Sequence, residues 1–195
     1  MPVREKQSNY VPAKFYQPVH NGDRLPQDAV KPFGRPLSFN GKFYDMAVAL
    51  WIPDSDKLGV WGRAWEENGQ LRAIFVHNDT IKTNEHPELQ KGFRILIYPG
   101  TPEQNGFRFS WMKVKDADYG TLLYSGRNKH VASVFVESDA NNRYEILGNT
   151  DWNKRQMDYV EYGTMNLHSV ANYGTYNIFD EDVYLLTKQR CNCQC

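Results

Sequence analysis

The sequence predicts an all-β protein, an antiparallel β-sandwich or barrel built from two similar repeats that are related by a pseudo-twofold axis. Short runs rich in aromatic and β-branched residues recur along the chain. Asn-Gly pairs at residues 21–22, 40–41, 68–69 and 105–106 separate several of these runs, and this pair is the strongest short-range signal for a hairpin turn. No window longer than about ten residues shows the apolar stripe of a helix.

The first half of the chain begins with a Pro-rich segment, residues 1–36. We expect turns and extended loops there, because proline lacks an amide donor and disfavours helix at the preceding residue. Strands are expected at residues 59–64, 71–77 and 93–98, which are rich in branched and aromatic side chains. The sequence Pro-Gly-Thr-Pro at residues 99–102 then predicts a tight turn that joins the two halves.

The second half opens with a clear alternating pattern. Phe107, Phe109 and Trp111 alternate with polar residues, and this period of two is typical of a half-buried strand. Further strands are expected at residues 121–125, 131–137, 144–147 and 183–187.

A set of short motifs occurs twice in the same order, which predicts the repeats. In each copy two aspartates precede a Gly-Arg step, a Phe-Val pair, and an aromatic residue followed by x-Ile-Leu. The first copy comprises Asp54 with Asp56, Gly62-Arg63, Phe75-Val76 and residues 93–96; the second comprises Asp116 with Asp118, Gly126-Arg127, Phe135-Val136 and residues 144–147. We therefore expect a first β repeat at residues 37–100 and a second at 101–150. Residues 151–190 would form a C-terminal extension packed on the same domain, and residues 191–195 a Cys-rich tail.

Composition excludes several classes of protein. The 195 residues carry 23 basic and 23 acidic side chains, so the chain lacks the basic excess expected of a nucleic-acid-binding domain. No apolar run approaches the roughly 20 residues of a membrane helix, and the N-terminus lacks the apolar core of a secretory signal. A cytoplasmic protein without nucleic-acid partners or a transmembrane segment is therefore expected.

Cysteines occur only in the tail, at Cys191, Cys193 and Cys195. The fold is therefore not a disulfide scaffold. Three interpretations of the tail stay open: lipidation, although the chain lacks a C-a-a-X box; binding of a soft metal, although three thiolates are one short of a closed zinc site; and a frayed, solvated end.

Over residues 20–148, the order of motifs resembles the tandem DM9 repeat of invertebrate lectin-like proteins. Gly62-Arg63-Ala64 is followed by Gly69-Gln70-Leu71, and Tyr144-Glu145-Ile146-Leu147 is similar to the late strand of that family. The resemblance implies a lectin-like module that binds mannose-type glycans without catalysis. The Pro-Gly-Lys step of the family is missing, so the fold can be inherited without the sugar site.

The predicted ligand-binding residues combine carboxylates, cationic donors and one aromatic ring. Carboxylates accept hydrogen bonds from vicinal hydroxyl groups, cations donate to them, and an aromatic face covers the C–H side of a sugar. The alternative is that the aspartates are turn formers bonded to their own backbone and that the aromatic residues belong to the core. The set is Asp54, Asp56, Arg63, Trp65 and Arg72 in the first repeat, with Asp116, Asp118, Arg127 and Lys129 in the second.

No catalytic residue, metal ligand or cofactor is predicted. The sequence contains no nucleophile elbow, phosphate-binding loop or dinucleotide fingerprint, and its five histidines match no metal-binding spacing.

Two further functions remain open beside the lectin. The chain could be a structural or protein-interaction β domain that has lost the sugar site and forms a homo-oligomer dependent on residues 149–190. It could also be a glycoside hydrolase that uses carboxylates from residues 151–161, because the separation that such chemistry needs cannot be deduced from sequence.

Overall fold

The computed structural model describes residues 11–55, 59–125, 130–138 and 143–191. Its strands are all antiparallel, and helices are few and short, which confirms the predicted all-β class. The first seven strands are β1 (Tyr16–Val19), β2 (Leu37–Phe39), β3 (Lys42–Tyr44), β4 (Ala47–Trp51), β5 (Val60–Glu67), β6 (Gln70–His77) and β7 (Thr80–Thr83). The next seven are β8 (Phe93–Leu96), β9 (Phe107–Lys113), β10 (His130–Ser138), β11 (Arg143–Asp151), β12 (Gln156–Val160), β13 (Leu167–Ala171) and β14 (Val183–Arg190). Three short helices, α1 (Pro87–Gln90), α2 (Pro102–Asn105) and α3 (Ile178–Asp182), join them.

The strands form two six-stranded sheets and one small hairpin. The first sheet has the order β1-β8-β4-β5-β6-β7, the second has the order β9-β14-β10-β11-β12-β13, and β2 pairs with β3. When the strands of each sheet are numbered along the chain, both orders are the same. Each sheet is therefore one copy of a single topology, as expected for two similar repeats.

Two glycines mark equivalent positions in the sheets. Ala49 pairs with Gly62, and Ser133 pairs with Gly148 at the corresponding place. A Cβ atom at Gly62 would lie 2.3 Å from the carbonyl oxygen of Ile74, and one at Gly148 would lie 2.3 Å from that of Asp158. Because both glycines have no room for a side chain against the next strand, the same close approach of backbones recurs in both sheets.

The inner faces of the two sheets pack together in a central core. Its buried residues include Val48, Leu50, Trp61 and Leu96 from the first sheet and Ala132, Val134, Ile146 and Leu186 from the second. Each outer face has its own apolar cluster, covered by a short helix that supplies one fully buried side chain, Leu89 of α1 or Phe179 of α3. Alternate side chains of each strand thus pack in the central core and in the outer cluster. This explains why strands β4 and β10 are strongly apolar.

The β2–β3 hairpin is attached to the second sheet by a buried carboxylate. Arg35 donates two hydrogen bonds to Glu145 at 2.6 and 2.8 Å, and the backbone N–H of Ser38 donates another at 2.9 Å. Arg143 pairs with the same carboxylate at 2.7 Å. Burial opposes ionisation of Glu145, but these donors and positive charges outweigh it and hold its pKa below the usual range.

The symmetric units begin and end at other residues than the expected repeats. The first sheet is built from residues 16–96 and the second from residues 107–190. Residues 151–190, expected as an extension, supply β12, β13 and β14. The equivalent of Gly62-Arg63 is Gly148-Asn149 rather than Gly126-Arg127, which lies outside the described residues.

Candidate functional site

The described residues of the predicted sugar site do not form one cluster. Asp54 is exposed and pairs with Lys91 at the end of α1, which covers the outer face of the first sheet. Arg63 is buried between the sheets, where it donates to the carbonyl oxygen of Val160 and lies 4.3 Å from the ring centre of Tyr162. Burial lowers the pKa of this guanidinium. Arg63 therefore acts as a bridge between sheets.

The other predicted residues have local structural contacts. Trp65 packs against the central core, and Arg72 pairs with Glu67 at 3.5 Å. Asp116 ends a 3₁₀ turn, while Asp118 accepts a hydrogen bond from the backbone N–H of Gly120 at 2.8 Å, the turn-forming role considered above. The remaining members, Asp56, Arg127 and Lys129, lie outside the described residues, as do Cys193 and Cys195 of the tail.

An aromatic groove runs beside β9. Its volume is about 720 Å³, and its walls are mainly apolar. We define the groove by the four aromatic side chains that line it, Phe33, Tyr98, Phe109 and Trp111. Its lining contains one carboxylate, Asp28, and no histidine or cysteine. The groove is therefore suited to binding apolar side chains rather than to acid–base or nucleophilic chemistry.

The ring of Phe33 is held at the groove by a constrained backbone. Phe33 has a φ of +53°, which is unfavourable for a bulky residue. Its ring contacts Tyr184 edge-on at 5.3 Å and Trp111 at 5.9 Å, while the guanidinium of Arg35 lies 5.4 Å from it. These contacts place Phe33 against the sheet.

Strand β9 forms one wall of the groove and is an edge strand. It pairs with β14 on one side and ends the strand order of the second sheet. With seven residues it is longer than the other three edge strands of the two sheets, β1, β7 and β13. A long edge strand presents backbone donors and acceptors to which another extended chain can pair.

Sequence reasoning identified the alternating pattern of β9 but missed the groove. Phe109 and Trp111 were expected to lie in a half-buried strand, and both are half-buried. Their partners Phe33 and Tyr98 are distant in the chain, and the Pro-rich segment that contains Phe33 gave no signal of a binding surface. Burial also raises the pKa of the Tyr98 phenol, which donates to the carbonyl oxygen of Phe107 at the start of β9.

A second concavity, the polar cleft, lies between the two sheets. It encloses about 370 Å³, and Val76, Asp79, Asn149, Asp151, Lys154 and Asp158 contribute to its lining. Within the described ranges, no three His, Cys, Asp or Glu side chains stand close enough together to hold a metal ion. In the part of the chain that the structure describes, no helix has the length and apolar character needed to span a membrane.

Comparison with known proteins identifies the family of the chain and a related crystal structure. The family model described as "MFP2b: Cytosolic motility protein" matches residues 16–174. The crystal structure of the nematode sperm cell motility protein MFP2B matches with a TM-score of 0.69 and 21% sequence identity. The match covers 92% of this chain and 47% of that one, so the chain spans about half the length of that protein. No curated protein matches the sequence.

These findings overturn the resemblance to DM9 repeats. The family model and the related structure are those of motility proteins. The predicted resemblance to the DM9 family is therefore wrong, and so is the mannose-type lectin function that followed from it. Glycan partners receive no support. The motifs that suggested the resemblance are short turn and strand signals, which unrelated antiparallel β proteins share. The interaction-domain alternative agrees better with the motility family.

Proposed function

Because the chain belongs to the MFP2b family of cytosolic motility proteins, we propose that it is a non-catalytic, protein-binding component of a cytosolic motility apparatus. The family description agrees with the predicted cytoplasmic location. The partner would bind in the aromatic groove beside β9. The observation that carries this proposal is the combination of a long edge strand with four aromatic side chains along it.

The proposed partner segment is an extended stretch of chain. It would pair with the edge of β9 that no other described strand occupies, through backbone hydrogen bonds, which supply affinity without regard to sequence. Because side chains alternate along a strand, every second side chain of the segment would enter the groove and contact Phe109 or Trp111. Aromatic residues are over-represented among those that dominate binding energy, which supports Trp111 as the main contact.

Binding of proteins from a cytosolic extract tests the proposal. The immobilised full chain should retain at least one protein from cytosol of the cells that express it. Substitution Trp111→Ser should weaken that retention by about tenfold or more, as expected for an aromatic residue at the centre of an interface. Phe43→Ser is the matched control, since Phe43 is 77% exposed on the β2–β3 hairpin and lies outside the groove. Equal retention by the wild-type chain and Trp111→Ser would contradict the proposed site.

The hydrolase alternative receives less support. Asp151 and Asp158 both line the polar cleft, but Asp151 accepts backbone hydrogen bonds from Asn153 and Lys154. Asp158 accepts side-chain hydrogen bonds from the Gln156 amide and the Ser169 hydroxyl. Glu161 is bonded to Thr164. These carboxylates therefore have structural partners, and membership of a motility family favours binding over catalysis.

A further inference from the structure

The polar cleft lies where the pseudo-twofold relation between the sheets is broken. The position equivalent to Arg63 on β5 is Asn149 on β11, because Gly62 and Gly148 precede them at matching places. The position equivalent to Val160 on β12 is Val76 on β6. On one side of the axis the long Arg63 side chain bridges the sheets to Val160. On the other side Asn149 and Val76 line the open cleft.

The residues that follow Val160 and Val76 add to the difference between the filled side and the open cleft. Two residues after Val160 comes Tyr162, whose ring stacks beneath the Arg63 guanidinium. Two residues after Val76 comes Asn78, which lines the cleft. The second sheet thus has an aromatic ring that covers a guanidinium, while the first sheet has a small polar side chain there. Both changes enlarge the cleft relative to the filled side.

The charges around the cleft favour a cation. Its lining has three carboxylates, on Asp79, Asp151 and Asp158, against one ammonium group on Lys154. Lys154 pairs with Asp151 at 3.8 Å. Within the described ranges, neither Asp79 nor Asp158 has a cationic partner. The cleft therefore keeps an acidic excess that a bound cation would balance.

A buried amide provides a second, independent indication of a ligand. Asn149 is only 3% exposed, and its Nδ2 atom lies 2.7 Å from Nδ1 of His130. Its Oδ1 atom is buried and has no hydrogen-bond partner among the described residues. A buried acceptor without a donor is costly, and Asn149 is one of the residues that line the cleft.

We propose that the polar cleft binds the guanidinium group of an arginine side chain supplied by a partner protein, in the manner in which Arg63 fills the equivalent place on the other side. A planar guanidinium has five N–H donors, so it can bond the Asn149 amide and the Asp158 carboxylate together. The inference goes beyond the groove of the proposed function, and it holds even if the groove binds nothing.

Titration of the full chain with capped peptides tests the inference. The probe is acetyl-Gly-Arg-Gly-amide, followed by amide and side-chain ¹H–¹⁵N signals. We expect saturable shifts at Asn149 and Val76 with a dissociation constant in the millimolar range, about that of a single buried charged contact. The citrulline peptide, which is neutral but of similar shape, should bind about tenfold more weakly or worse, because charge-assisted hydrogen bonds are the stronger ones.

Variants of the chain locate the binding. Asp158→Asn should weaken binding of the arginine peptide by about fivefold or more, since a hydrogen bond to a charged group is lost. Asp116→Asn, on a 3₁₀ turn outside the cleft, is the matched control and should leave binding unchanged. Asn149→Arg should fill the cleft with the chain's own guanidinium and abolish peptide binding. If Asn149→Arg fails to fold, binding of the arginine peptide by Asp158→Asn alone decides whether the cleft is the site.

Three results would overturn the inference. They are equal binding of the arginine and citrulline peptides, shifts that lie away from the cleft, and undiminished binding by Asp158→Asn. Titration with free arginine distinguishes a small-molecule ligand from an arginine side chain of a partner protein. If free arginine binds about tenfold more tightly than the capped peptide, the ligand is a small molecule and the partner protein is ruled out as its source.

Discussion

At the residue scale, Gly62 and Gly148 permit each sheet to bring two strands together more closely than a side chain would allow. Both lie at equivalent places on β5 and β11, and an added Cβ atom would meet a backbone carbonyl oxygen at 2.3 Å in each case. A backbone atom cannot move aside as a flexible side chain can. These two glycines are therefore required by packing, whichever surface binds the partner.

Substitution of either glycine tests this requirement. We expect Gly62→Ala and Gly148→Ala each to lower the free energy of unfolding by about 2 to 3 kcal/mol, as overpacking of a well-packed site does. Denaturation by urea, followed by tryptophan fluorescence, measures the loss. Gly120→Ala is the control, because its Cβ would meet only the movable Asp118 side chain at 3.3 Å. A loss no larger than that of the control would show that the strands can separate at little cost.

The same glycines show which positions of the two units are equivalent. The two identical Gly-Arg steps, Gly62-Arg63 and Gly126-Arg127, suggest an equivalence that the structure does not have. In the structure, the position equivalent to Gly62 is Gly148, and the residue after Gly148 is Asn149. Equivalent positions lie between 84 and 95 residues apart, because the connecting loops differ in length. Because the separation between equivalent positions is not constant, the symmetry that is clear in the strand order cannot be recognised from a fixed repeat length in the sequence.

At the element scale, runs rich in branched and aromatic residues predicted most of the strands, whereas turn signals predicted the connections only in part. The runs expected at residues 71–77, 131–137 and 183–187 lie within β6, β10 and β14. Residues 121–125 form no named strand, since only isolated bridges at Leu122 and Tyr124 occur there. A short apolar run can be buried as part of a strand or as part of another element, and its sequence does not distinguish between these structures.

The Asn-Gly pairs behave according to their tertiary surroundings. The pairs at residues 40–41 and 68–69 have positive φ at both residues and close the β2–β3 and β5–β6 hairpins. The pair at 105–106 instead ends α2, with Gly106 as a left-handed cap. That helix begins with Thr101 and Gln104 in a capping box, a local signal that competes with the hairpin.

The β2–β3 hairpin depends on Glu145, and removal of its charge should detach it. Glu145→Gln is expected to lower the free energy of unfolding by about 3 kcal/mol at pH 7, because it leaves Arg35 and Arg143 without their shared carboxylate. Urea midpoints of the variant and the wild type measure this. Glu67→Gln, which alters an exposed pair with Arg72, should cost less than about 1 kcal/mol.

The effect of Glu145 should also depend on pH. Its pKa in the folded protein lies below the usual range, whereas in the unfolded chain it is about 4.3. The stabilisation is therefore fully present above that value and is lost as the pH falls through the folded pKa. The difference in free energy of unfolding between the wild type and Glu145→Gln should shrink as the pH falls from about 5 to about 3. A difference that is constant across this range would mean that the carboxylate charge is not what anchors the hairpin.

At the scale of the whole molecule, the two sheets should unfold together because they share the central core. Trp61 of the first sheet donates to the carbonyl oxygen of His130 in the second at 3.1 Å, and Arg63 reaches Val160 in the same way. We expect tryptophan fluorescence and far-ultraviolet circular dichroism to report one coincident transition in urea. Two separated transitions would instead indicate sheets that are stable alone.

Deletion of β14 should therefore abolish cooperative unfolding of the whole chain. This strand lies between β9 and β10 and is the neighbour through which β9 joins the second sheet. The predicted homo-oligomer was to depend on residues 149–190, and those residues include β12, β13 and β14. Their removal would unfold the second sheet, so truncation there cannot measure self-association. The homo-oligomer stays a prediction, for which sedimentation of the full chain is the appropriate test.

We propose above that this motility-family domain binds an extended partner segment along β9. Amide hydrogen exchange of the full chain, with and without a protein that it retains from cytosol, locates the bound segment. We predict that the partner slows exchange in β9 (Phe107–Lys113) and in the facing residues 28–34, and that Trp111→Ser removes this protection. Protection confined to β7, β13 or the β2–β3 hairpin, with β9 unchanged, would contradict it.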